Sequence, residues 1–209
     1  MWPLILLVIL IILFIIWYIT IFSKGKNEVK EIENNIRMTL DEVGIKDDAY
    51  WSSRDLLVDR MVLSINEITE EVIIVKIPKL SKEYRQPDVQ KIKFQEIIEV
   101  KVISNSNTVT STSRVSQVGG ALVGGVLAGG VGALIGGLSG QTKSKETIKD
   151  IKLEIVVNNI SNPIIEVPFY ETKISELKSG TPKYEQIIKE INLWYRKFTV
   201  ILHKQSTLK

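Results

Sequence analysis

Residues Val118 to Gly140 form a charge-free stretch that carries ten of the chain's thirteen glycines. Small residues recur in it every four positions: Gly120, Gly124, Ala128, Gly132, Gly136 and Gly140 make one series, and Gly125, Gly129, Ala133 and Gly137 make a second beside it. On an α-helix, positions four apart stack on one face, so the two series become adjoining grooves bare of side chains, with Val, Leu and Ile on the remaining surface. In an isolated helix this many glycines cost roughly 10 kcal/mol relative to alanine. Such a segment, a glycine zipper, therefore makes sense only where close backbone packing against another helix, or within a bilayer, recovers that loss.

A second apolar segment opens the chain. Trp2 to Phe22 has no charge, and sixteen of its residues are Leu, Ile, Val or Phe. As a helix it is about 32 Å long, which matches a hydrocarbon core of roughly 30 Å, and its side chains favour insertion by roughly 5–10 kcal/mol. Pro3 falls in the first turn, where its missing N–H is harmless. A cleaved signal peptide would need a basic start, a shorter apolar core and a small-residue cleavage site, so residues 1–22 are read as an uncleaved transmembrane anchor. Lys24, Lys26 and Lys30 follow at once. The positive-inside rule then places the amino terminus outside and the bulk of the chain in the cytoplasm, at the cell membrane.

Cysteine is absent, which excludes disulfides, thiolate metal sites and thioether lipid attachment. With 27 basic and 24 acidic residues the net charge is +3, which gives no support to nucleic-acid binding and at most a weak attraction to anionic headgroups.

Residues 23–44 read as a stalk helix continuing the anchor. Val29, Ile32, Ile36, Leu40 and Val43 recur at helical spacing, and Gly44 is placed to cap the end. Its narrow stripe suits packing on the chain's own domain, with pairing of two stalks as the alternative. Beyond a polar stretch from Lys46 to Asp55 the period changes to two. The alternating sets are Met61, Leu63, Ile65; Ile73, Val75, Ile77; Ile98, Val100, Val102; Ile151, Leu153, Ile155, Val157; and Ile165, Val167, Phe169. They predict half-buried antiparallel strands, separated by turns at Asn66–Glu70, Pro78–Pro87 and Asn158–Pro163. A last helix is predicted from Thr181 as N-cap and Pro182 as first residue. Tyr184, Ile187, Ile188, Ile191, Trp194, Phe198, Ile201 and Leu202 form its apolar stripe. That stripe is wide enough to cover a small β core; lying on a membrane with Lys183, Lys189, Arg196, Lys197 and Lys204 near headgroups is the alternative.

The block Lys91 to Val100 (KIKFQEIIEV), the Ser/Thr-rich Asn107 to Arg114, the zipper, and Ile151 to Asn158 (IKLEIVVN) resemble a group of uncharacterised bacterial and phage-associated membrane proteins. In that group a glycine zipper interrupts a pleckstrin-homology-like (PH-like) domain. The resemblance runs roughly from Arg60 to His203 and leaves out anchor and stalk. It implies an α+β fold: a mainly antiparallel β-sandwich or barrel over residues 56–117 and 148–205, closed by the C-terminal helix and interrupted by the zipper at 118–140. It brings no established activity; related PH-like modules bind lipids, peptides or neighbouring proteins.

If the zipper crossed a bilayer once, the strands on its two sides could not share a sheet. Lys91, Lys93, Lys101 and Arg114 before it, and Lys143, Lys145, Lys149 and Lys152 after it, also ask for the same side. The predicted solution is a helical hairpin turning near Ala128–Val131, with arms of roughly 15 Å that dip into the inner leaflet. A hairpin packed on protein and a single crossing are its alternatives.

Catalytic chemistry finds no footing. His203 is the one histidine, at the end of a predicted helix. Asp47 with Asp48 and Glu70 with Glu71 fall in predicted turns, where carboxylates are solvated rather than acid–base partners. Gly130, Gly132 and Gly136 imitate a dinucleotide-binding pattern, but no hydrophobic strand leads into them. The Asn159-Ile160-Ser161 sequon would be silent in the cytoplasm. The sequence therefore predicts a non-enzymatic membrane-anchored binding or scaffold protein with no cofactor and no metal, whose partners are the bilayer and a protein partner or further copies of itself. The competing reading is a membrane-active protein that oligomerises through the zipper to permeabilise or remodel the bilayer.

Overall fold

The computed structural model describes residues 14, 27, 29–53, 58–80, 85–114, 147–172, 177–178 and 180–207. Residues 29–42 form helix α1; of the predicted stalk stripe, Ile32, Ile36 and Leu40 face inward in one cluster with Val43 just past the helix end, whereas Val29 is not part of this cluster. Gly44 ends it with φ +73°; its N–H donates to the Asp41 carbonyl at 3.1 Å and the Ile45 N–H donates to the Leu40 carbonyl at 3.0 Å. This pair of bonds satisfies the last carbonyls of the helix in a backbone conformation that glycine adopts without strain.

The polar stretch that follows contains an unforeseen strand, β1 (Tyr50–Trp51). With β2 (Arg60–Asn66), β3 (Glu71–Ile77) and β4 (Asp88–Lys93) it forms a four-stranded antiparallel sheet in chain order. A 3-10 turn, Phe94–Glu96, makes the corner, tied by the Phe94 N–H to the Glu70 carbonyl at 2.8 Å. Then come β5 (Ile97–Ser104), β6 (Asn107–Ser113), β7 (Thr147–Ile148), β8 (Asp150–Val157), β9 (Ile164–Glu171) and β10 (Leu177–Lys178). The second sheet has the order β6-β5-β8-β9, and β7 pairs with β10. Asn105 and Ser106, both at positive φ, join β5 to β6 in a two-residue turn whose twist suits an antiparallel hairpin.

β8 and β9 follow the predicted alternation: Ile151, Leu153, Ile155, Val157, Ile165, Val167 and Phe169 are all buried. The opposite face of this sheet meets water and carries ion pairs, Lys101 with the directly opposite Glu154 at 3.0 Å and Lys152 with Glu166 at 2.6 Å. Two predicted patterns are corrected. In β2 and β3 both faces are buried: Leu63, Val72 and Ile74 join the main core, whereas Val62, Ile73, Val75 and Ile77 pack under α1. The stalk converts the outer face of the first sheet into a second core. In β5 the inward set is Ile97, Val100 and Val102, not Ile98, because the register shifts between Ile97 and Glu99 and the extra residue turns outward.

The main core is closed by α2 (Pro182–Thr207). The Thr181 hydroxyl accepts from the Tyr184 N–H at 3.3 Å, which caps the helix start as predicted. The expected stripe is buried, joined by Tyr195, while Ile187 is only partly covered. Covering the core is thus what this stripe does.

Of the strands around the glycine-rich segment, β6 before it and β8, which follows the short β7 after it, belong to one sheet. β6 and β8 each pair antiparallel with β5, so they run the same way: the chain leaves after Ser113, opposite Glu99, and β8 begins beside Ile151, opposite Ser104. Five residues of strand and two strand spacings put these points roughly 20 Å apart. No helix among the described residues is long and apolar enough to cross a membrane. The predicted anchor, of which only Phe14 is described, and the predicted hairpin lie outside the described residues.

Candidate functional site

Three elements meet in a groove of about 530 Å³. β1 and its neighbours supply Ala49 to Ser52, the end of β9 supplies Phe169 to Glu171, and the first half of α2 supplies Lys183, Gln186, Ile187 and Glu190. The floor is aromatic. Tyr50 stacks on Phe169 with centroids 4.0 Å apart and planes 14° apart, and meets Trp194 edge-on at 6.5 Å. Such contacts each add about 0.5–1.5 kcal/mol beyond the area they bury.

The Tyr50 hydroxyl donates to the Pro168 carbonyl at 2.7 Å, so the first sheet is bonded to the second at the base of the groove. Burial, and secondarily the nearby Glu190 carboxylate, raises the pKa of this phenol well above the usual tyrosine value. On the rim the Lys183 ammonium lies 5.1 Å from the centre of the Tyr170 ring. One cation thus faces two carboxylates, Glu171 and Glu190, across an aromatic floor. This combination suits an apolar side chain accompanied by a basic one better than a phosphate. No cluster of His, Asp or Glu able to hold a metal ion occurs among the described residues.

The ten small residues predicted as the packing site, Gly120, Gly124, Gly125, Ala128, Gly129, Gly132, Ala133, Gly136, Gly137 and Gly140, lie outside the described residues. Of the residues set aside as chemistry, Asp48, Glu71 and Asn159 have structural roles. Lys197 donates to Asp48 at 2.7 Å and holds that carboxyl below its usual range. Lys93 pairs with Glu71 at 2.8 Å. The Asn159 side chain accepts from the Ser161 and Asn162 N–H groups and so closes the turn between β8 and β9. The sequence reading missed the groove because β1 has two residues and no period. Tyr50-Trp51, an aromatic pair in a polar stretch, was the available signal.

The family described as "Glycine zipper containing PH domain" matches residues 49–171, more than half of the chain. A relative named "Immunity protein" in Bacillus phage SPbeta is 29% identical over 139 residues, covering 64% of this chain and 67% of its own. A relative named "SPbeta prophage-derived uncharacterized membrane protein YomJ" in Bacillus subtilis (strain 168) is also 29% identical over 139 residues, covering 64% of this chain. The match spans 59% of that relative's length. No solved structure matches the chain.

Proposed function

The chain belongs to the family of glycine zipper containing PH domains, and from that premise we propose that it is a non-enzymatic binding module held at a membrane. The segment 1–22 anchors it with the amino terminus outside, the zipper packs in or on the inner leaflet, and the β domain stands on the cytoplasmic side. Two attachments fix the orientation of the domain, which raises the effective concentration of its groove for a partner at the same surface. The observation that carries this reading is the groove between β1, β9 and α2, with an aromatic floor and two carboxylates on its rim. It favours a protein partner presenting an apolar and a basic side chain. The name of the phage relative supports placing that partner in immunity, and that of the prophage relative supports the membrane.

The test is phage challenge of Bacillus subtilis cells that express the full chain. Protection is expected from the wild type and is lost in Ile187→Glu with Glu190→Lys, although the variant still accumulates in the membrane. Equal plating with and without the wild-type chain overturns the immunity reading. Protection that survives the double substitution removes the groove from it.

The rival reading rests on the two four-spaced series of small residues, which also suit zipper-to-zipper assembly. It predicts dye leakage from liposomes carrying the wild type, abolished by Gly124→Leu and Gly132→Leu. Tight liposomes leave the anchored binding module ahead.

A further inference from the structure

α2 has a second face. Seen down the helix, Lys189, Leu193, Arg196, Val200 and Lys204 share one arc, opposite the buried stripe, at spacings of three and four. All five are exposed, and the two aliphatic ones are large: Leu193 is 52% and Val200 54% exposed. Along α2 itself the acid closest in angle to this arc is Glu185, a turn before Lys189. Beside Val200 is an apolar notch of about 220 Å³, walled by Ile65, Phe94 and Ile201. Lys46, Lys197 and Lys204 border it, with Glu67 and the Asp48 already bonded to Lys197.

The topology gives this face its direction. The chain enters the glycine-rich segment from β6, whose Thr110 shares a buried hydrogen bond with Tyr195 of α2 at 3.2 Å. Arg114, at the end of β6, donates to the carbonyl of Phe94, the residue that walls the notch. The chain comes back in β7, paired with β10, whose Lys178 carbonyl accepts from the Thr181 hydroxyl that caps α2. Departure and return thus bracket α2, one beside its second half and one beside its first turn. The helix therefore lies beside both ends of the apolar segment.

We propose that the outward arc of α2 is a docking surface for an anionic lipid leaflet, with Leu193 and Val200 entering the interface and Lys189, Arg196 and Lys204 meeting the headgroups. A helix presenting aliphatic side chains among cations binds such a surface by apolar burial and charge attraction together. This inference rests on the membrane attachment proposed above and adds which face of the domain looks at the lipid.

The chain has no cysteine, so a single one can be introduced without interference. Leu193→Cys and Val200→Cys, each carrying a nitroxide, are placed in the full chain in vesicles of phosphatidylcholine with phosphatidylglycerol, and Met38→Cys on α1 serves as the water-exposed reference. The labels at 193 and 200 are expected to be more accessible to oxygen than to an aqueous nickel chelate, with the reverse at 38. Lys189→Glu, Arg196→Glu and Lys204→Glu together, or vesicles of phosphatidylcholine alone, should return both labels to water while the chain still floats with the vesicles. Labels at 193 and 200 as aqueous as the one at 38, in chain that floats with anionic vesicles, overturn the docking surface and leave the attachment standing. Labels shielded from both reagents point to a protein seated on the arc and overturn it as well. Chain that does not float overturns the attachment first, and this proposal with it.

Discussion

The Tyr50 hydroxyl joins the two sheets through the Pro168 carbonyl, inside a cluster with Phe169 and Trp194. Tyr50→Phe removes that bond and keeps the ring, so a loss of about 1 kcal/mol at neutral pH is expected. The same phenol makes stability sensitive to alkali. Burial first, and the Glu190 carboxylate second, keep it protonated in the fold, whereas in the unfolded chain it ionises near the usual value of about 10. Above that pH the unfolded state binds fewer protons than the folded one. The contribution of Tyr50 is therefore complete below about pH 10 and declines above it at up to about 1.4 kcal/mol per pH unit. Tyr195, raised mainly by burial, acts in the same direction. Denaturant unfolding across this range should show a shallower decline for Tyr50→Phe than for the wild type; equal slopes would remove Tyr50 as a source. Gly44 offers a separate test, because a Cβ there would meet nothing within 4 Å. Gly44→Ala should nevertheless lose about 1–2 kcal/mol, since a side chain at φ +73° carries the left-handed penalty whatever the space. An unchanged melting midpoint would show that the cap at the end of α1 contributes nothing.

Among the elements, α1 changes the architecture most. Its stripe was legible as a helix with one narrow apolar face, yet the spacing alone could not say whether the face met a second stalk or the chain's own sheet. The structure answers through β2 and β3: Val62, Ile73, Val75 and Ile77 would be an exposed aliphatic face if α1 were not on them. Ile36→Ala is expected to lose about 2–4 kcal/mol, as for a buried large-to-small change, and to speed trypsin cleavage at Arg37 by loosening the helix from the sheet. A stability unaffected by the change would mean that the stalk is not part of the folded domain. The same contrast shows what could be read beforehand. β8 and β9 were legible because one face meets water, and the two helix caps were legible because Gly44 and Thr181 act within a single turn. β4 and β6 were not, since Asp88–Lys93 is largely polar and Asn107–Ser113 is Ser/Thr-rich; each is an edge strand held by its neighbour rather than by its own apolar pattern. The groove was hidden for a related reason. Its walls come from residues near 50, 170 and 186, which only the closed fold brings together.

At the scale of the whole molecule, the sheet limits what the glycine-rich segment can do. β6 and β8 both bond to β5, so the body that contains them lies on one side of any bilayer. One crossing by residues 115–146 would divide that sheet, and two full crossings need about 40 residues, more than the 32 between Arg114 and Thr147. Both ends of the segment therefore stand on the same side of any bilayer. Ser111 and Lys149 are exposed and stand at the two ends of this excursion. In sealed vesicles of known orientation, Ser111→Cys and Lys149→Cys should both react with a membrane-impermeant maleimide from the side that holds the β domain, and neither from the other. Reaction of one from each side would put neighbouring strands of a hydrogen-bonded sheet on opposite sides of a bilayer, and the pairing of β5 with β6 and β8 would have to be given up along with the attachment.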